Sequence, residues 1–127
     1  MDMLFAAHSG TRYLVLFLGL IALVWFARGA LGRRPFVRPS PAILSGFLGF
    51  LDLQILLGIA LVIGGRRPAA VWGHLTVMLA AAAVTHVVAA RQKRRPQPAG
   101  HGLPLVGVAL TLALIVVGIL AIGRPIL

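Results

Sequence analysis

Apolar residues run along this chain in four long blocks, residues 3–27, 42–63, 69–90 and 103–122, separated by short segments rich in arginine, proline and glycine. Each block has at least the ~20 residues that a helix needs to cross a bilayer. The connections are 28–41, 64–68 and 91–102. Pro35, Pro39 and Pro41 stop a helix in the first, Gly64 and Gly65 make the second a tight turn, and Pro96 and Pro98 mark the third. Short connections between long helices predict an all-α, up-down antiparallel four-helix bundle, one transmembrane domain over residues 1–127. Small residues at helix-packing spacing, Ser45 and Gly49 on the second span and Gly107, Thr111 and Gly118 on the fourth, read as close-approach faces.

Composition strengthens this reading. The 127 residues are 60% hydrophobic and 11% charged, with a mean hydropathy of +1.01. A soluble domain of that size has no interior large enough to hide so much apolar surface. With no cysteine, the chain has no disulfide, thiolate metal site, thiol nucleophile or covalent c-type haem attachment. The first span reads as a retained helix rather than a cleaved signal, because it lacks a basic leader and carries His8 and Arg12.

The formal charge of +10 would suggest nucleic acid in a soluble protein. Here it sits in the connections. The first holds Arg28, Arg33, Arg34 and Arg38, and the third Arg91, Lys93, Arg94 and Arg95. The second holds only Arg66 and Arg67, and the C-terminal end only Arg124. The positive-inside rule then puts connections one and three in the cytoplasm and both termini outside. That makes a multi-pass protein of a bacterial inner membrane, in contact with lipid headgroups and not with nucleic acid.

Against this background a few polar residues inside the spans stand out. Asp52 is the one acid after Asp2. An ionisable group at that depth costs ~2.5–3.5 kcal/mol on insertion scales and is seldom left unpaired. Arg12 lies about 13 Å from the outer end of its span and Asp52 about 16 Å from the outer end of its own. Similar depth predicts an Arg12–Asp52 ion pair that fixes helix register, with a proton relay as the alternative. Gln54 lies ~160° around the helix from Asp52 and faces another neighbour.

His8 and His74 each lie five residues inside spans that run in the same direction, about 7–8 Å in. Two histidines at one level on separate helices are what a bis-histidine b-type haem requires. His74, Met78, Ala81 and Thr85 form one stripe on the third span. There Ala81 leaves room for a porphyrin edge, and Met78 packs on the ring or serves as an axial ligand. His86 is about 18 Å from His74 along the helix and rotated by ~120°. With His101 it makes a candidate inner site and a possible second haem. Zinc wants more ligands than this level offers. A lone membrane histidine can equally do no more than hydrogen-bond a neighbouring helix.

These residues together resemble a family of small bacterial four-helix membrane proteins labelled "cytochrome b". The likeness rests on His8-Ser9-Gly10-Thr11-Arg12-Tyr13, on Arg33-Arg34-Pro35-Phe36, on Asp52-Leu53-Gln54-Ile55-Leu56-Leu57-Gly58, and on His74, Met78 and His86. It covers the first three spans. Gly73 departs from it, where related chains often carry an acid before the histidine. The resemblance implies haem b and electron transfer between a quinol or periplasmic partner and a larger redox complex. It implies no catalytic site of the chain's own. On this reading His8 and His74 are haem ligands, with Arg12, Met78 and His86 as further cofactor contacts. Partners are a larger redox membrane complex or a second copy, with quinone as a further candidate. The alternative is a cofactor-free accessory subunit of a respiratory or photosynthetic assembly. A proton or small-solute transporter is disfavoured by the lack of a duplicated half.

Overall fold

The computed structural model describes residues 2–65, 71–96 and 99–121, and these form four helices joined by turns and short coil. They are α1 (Asp2–Leu31), α2 (Ser40–Ile63), α3 (Val71–Arg94) and α4 (Gly102–Ala121). All four are long and apolar enough to cross a membrane. Arg66, Arg67 and Pro68 of the second connection, the expected start of the third span at 69, the end of the fourth at 122 and Arg124 lie outside the described residues.

The helices overrun the apolar blocks at their basic ends for local reasons. α3 continues through Arg91, Lys93 and Arg94, whose charges suit the negative end of the helix dipole, and it stops before Pro96. α1 ends in a Schellman turn. Arg33 N–H donates to the Ala30 carbonyl (3.2 Å) and Arg34 N–H to that of Gly29 (2.9 Å). Arg33 takes the left-handed conformation, φ +50°, that glycine usually supplies there. Pro41 opens α2, where a missing N–H costs nothing.

Each helix packs on the next, and α1 also packs on α4. The α3–α4 seam is the most extensive and the α2–α3 seam the least. Contacts join the start of one helix to the end of its neighbour. His8 meets Gln54 and Gly58, whereas Trp25 meets Ser40. His74 meets Gly118, whereas Val88 meets Gly107. A Cβ on Gly107 would lie 2.6 Å from a Val88 methyl, so only glycine permits this approach. One turn away the hydroxyls of Thr85 and Thr111 are 2.8 Å apart, each also within reach of its own helix's carbonyl. The expected close-approach face of the fourth helix is therefore used. That of the second is not, because Ser45 and Gly49 are exposed and a Cβ on Gly49 would meet nothing within 4 Å.

The core is made by Val15, Ala22 and Phe26 of α1, Leu44, Phe47 and Leu51 of α2, Met78 and Ala81 of α3, and Val108, Ile115 and Ile119 of α4. Only 22–39% of each apolar window is buried within the chain, so large side chains such as Phe17, Leu56, Trp72, Val106 and Leu120 face outward. Meanwhile Ser40, Gln54, Thr85, Gln92, His101 and Thr111 are buried. Apolar outside with polar groups inside is the distribution that lipid selects.

The basic end is clamped by His101, which is 3% exposed. Its Nδ1–H donates to the Arg34 carbonyl (3.0 Å) that the Schellman turn presents. Its Nε2 accepts from the Ser40 hydroxyl (2.7 Å), whose oxygen accepts the Trp25 indole N–H (3.0 Å). The ring packs on Phe26 and Phe36, at centroid distances of 5.9 and 5.2 Å. Phe36 N–H donates to the Ala99 carbonyl (2.7 Å), and buried Gln92 holds the Gly100 carbonyl (2.9 Å). Residues 25–40 and 92–101, far apart in sequence, thus meet around one imidazole.

Candidate functional site

At the opposite end of the bundle the helices part around a cavity of about 270 Å³, lined from all four. α1 contributes His8 and Arg12, α2 Gln54 and Gly58, α3 His74 and Met78, and α4 Ile115 and Ile119. Almost all the remaining wall is apolar. His8 and His74, expected at one level, both line this cavity.

Each imidazole is oriented by a neighbouring helix's backbone. His8 Nδ1–H donates to the Gln54 carbonyl (3.1 Å), and Gln54 returns a bond from its Nε2 to the His8 carbonyl (2.7 Å). The Gln54 carbonyl is reachable because residue 58, one turn on, is glycine. A Cβ there would come within 3.0 Å of the His8 ring. His74 Nδ1–H donates to the Gly118 carbonyl (2.7 Å). A Cβ on Gly118 would crowd Met78 Sδ at 3.1 Å. A carbonyl can only accept, so both rings, when neutral, carry their proton on Nδ1 and their lone pair on Nε2.

Two cavity-lining polar atoms are buried without a hydrogen-bond partner, Arg12 Nε and Gln54 Oε1. Arg12 uses Nη2 to donate to the Tyr13 hydroxyl (2.6 Å), with its guanidinium 4.5 Å from the Tyr13 ring centroid. The amide orientation of Gln54 is fixed by its bond to the His8 carbonyl, so the unpartnered atom is its oxygen.

The expected Arg12–Asp52 pair does not form. Gln54 points at α1, and Asp52, ~160° around α2, therefore points away from it toward α3. There both its carboxylate oxygens lie 3.0 Å from His86 Nε2. The side chains are 41% and 54% exposed, so the pair sits on the outer face of the α2–α3 seam. His86 accordingly does not line the His8–His74 cavity, and it is the partner of Asp52 rather than a contact of that site. His101, both ring nitrogens engaged in the basic-end clamp, shares no site with His86.

The α3 stripe does face inward, but only its first half reaches the cavity. Met78 is 7% exposed and forms part of the wall, whereas Ala81 is in the core and Thr85 bonds Thr111. Gln54 is the residue whose role sequence reasoning left open. Its signal was the Gly58 one turn later, which bares its carbonyl. Among the described residues no three His, Asp or Glu side chains gather as a metal cluster.

Comparison with protein-family profiles, curated proteins and solved structures gives no match to this chain.

Proposed function

We propose that this chain is a small membrane-embedded b-type cytochrome. The observation that carries the reading is the pair of imidazoles from α1 and α3 on one cavity, each with Nδ1–H given to a neighbouring helix's carbonyl. That bond is the one a metal-bound histidine ordinarily makes, and it directs Nε2 to the metal. The residues fit haem b. His8 and His74 would hold the iron, the apolar wall and Met78 would pack against the ring, and the Arg12 guanidinium, whose Nε is buried without a partner, suits a propionate. The cavity lies just below the ~300–1,000 Å³ range of small-molecule sites.

Haem would supply one-electron chemistry; the chain supplies position and electrostatics. Hydrogen bonds from Nδ1 fix the planes of both imidazoles. The Arg12 charge stands close to the cavity and favours a bound anion. With the start-to-end helix contacts, the arginine-rich connections support an antiparallel bundle in a bacterial inner membrane, with both termini outside. The His8–His74 cavity then opens in the outer leaflet, within reach of a quinol or a periplasmic donor, and a larger redox complex is the natural acceptor.

The test is a reduced-minus-oxidised visible spectrum of detergent-purified protein produced with haem available, with haem quantified per chain. The expected result is a b-type α-band with about one haem per chain. His8→Ala and His74→Ala should each abolish it while His86→Ala keeps it. A flat spectrum from a helical, monodisperse sample refutes the proposal. Loss of colour with His86→Ala alone refutes the ligand pair.

A further inference from the structure

The basic end of the bundle carries a second cavity of about 270 Å³, walled by Trp25, Arg28, Arg34, Arg38 and the His101 clamp. We infer that this cavity is a site for the phosphate of an anionic phospholipid headgroup, held by Arg28, Arg34 and Arg38.

Three arginines line one concavity, and among the described residues no acid pairs with them. The whole chain has two acids, and Asp52 is committed to His86. No ion pair involves the three arginines among the described residues. The other polar groups of the wall are already paired: Ser40 with Trp25 and His101, and His101 with Ser40 and the Arg34 carbonyl. What the cavity offers a ligand is therefore positive charge in fork geometry, which matches a phosphate's paired oxygens better than an ammonium would.

The wall is built rather than draped. The Schellman turn fixes Arg34 relative to Arg28, and Ser40 N–H donates to the Val37 carbonyl (2.9 Å), closing the turn that carries Arg38. Pro35 and Pro39 restrict the backbone further. Arginines on such a frame lose less freedom on binding than arginines on an open loop.

The same phosphate chemistry could come from free phosphate. Position selects lipid. The cavity lies where α1 leaves its apolar stretch, beside a Trp25 that is 38% exposed, as interfacial tryptophans are. Directly above it Phe17, Ile21 and Val24 present an exposed apolar flank along which an acyl chain can lie. This rests on the chain being a membrane protein and not on haem, so haem content, read in parallel, keeps the two proposals separate.

The experiment reconstitutes the protein in nanodiscs of phosphatidylcholine doped with a minor fraction of phosphatidylglycerol. Lipid retained per chain is then counted by native mass spectrometry. Wild type should retain about one phosphatidylglycerol per chain in preference to phosphatidylcholine. Arg28→Gln/Arg34→Gln/Arg38→Gln should weaken that preference on the order of a hundredfold, about fivefold per guanidinium. Arg91→Gln/Lys93→Gln/Arg94→Gln removes the same charge without touching the cavity and should leave it within about twofold. If the glutamine triple fails to insert, Arg28→Lys/Arg34→Lys/Arg38→Lys keeps the charge and topology signal but not the forks. It should lose about tenfold. Equal losses in the two glutamine triples, or an unaffected lysine triple, would overturn the site in favour of a diffuse basic surface. Inorganic phosphate displacing the lipid at micromolar concentration would overturn its assignment to a headgroup.

Discussion

Replacing His101 with alanine should be among the most damaging single changes in this protein, although the residue lies far from the candidate haem site. The substitution deletes two hydrogen bonds, worth about 1 kcal/mol each net. It orphans the part-buried Arg34 carbonyl and the buried Ser40 hydroxyl, adding about 1–2 kcal/mol. It also removes the ring that Phe26 and Phe36 pack against, for about another 1 kcal/mol. The total is about 4 kcal/mol, in the upper tail of single substitutions. Reversible unfolding in mixed micelles, followed by tryptophan emission, would measure it, and Trp25 reports locally because its indole N–H sits on Ser40. His101→Phe separates the causes by restoring the ring without the bonds, and should recover about 1 kcal/mol. Haem content should be unchanged in the folded fraction, since Phe26 is eighteen residues, about 27 Å, along α1 from His8. A loss below about 1 kcal/mol, or a phenylalanine variant as stable as wild type, would refute the clamp.

Two further outcomes follow from the packing. His86→Ala leaves Asp52 without its partner on an apolar face and should cost about 2–3 kcal/mol, whereas Asp52→Leu/His86→Leu should be neutral or stabilising in bilayers; the same unfolding assay decides. Gly107→Ala drives a Cβ to 2.6 Å from the stiff Val88, so the overpacking cost of about 1–3 kcal/mol should exceed a helix-propensity gain of about 1 kcal/mol. Gly49→Ala meets nothing and should keep that gain, so the two changes are expected to have opposite signs.

The four helices were legible because apolar block length depends only on composition, and the ends moved by a few residues where charge and the Schellman turn decide. The shared level of His8 and His74 was legible for the same reason: depth is a count of residues. The partner of Asp52 was not. Depth left both Arg12 and His86 open to it, and the choice turned on which face of α2 meets α1. The statement that Gln54 and Asp52 face opposite ways held the answer, but it needed one anchor, the bond between Gln54 and His8, to say which way. The fate of His101 was hidden for another reason. Its partners are a backbone carbonyl, a serine and two phenylalanines of residues 26–40, some sixty or more positions away, none of which carries a signal of pairing with a histidine.

Both histidines of the candidate site take their orientation from carbonyl oxygens, and a carbonyl oxygen cannot be mutated. Substitution anywhere along the outward faces of α2 and α4 can change size, charge or lipid preference and leave the bonds at Gln54 and Gly118 in place. The orientation is inherited from the fold rather than from particular side chains. Sequence drift reaches it through Gly58, where an added Cβ would come to 3.0 Å from the His8 ring, and through Gly118, where it would crowd Met78 Sδ at 3.1 Å beside His74. In diverging copies of such a protein, those two glycines should be as informative about the site as the histidines themselves.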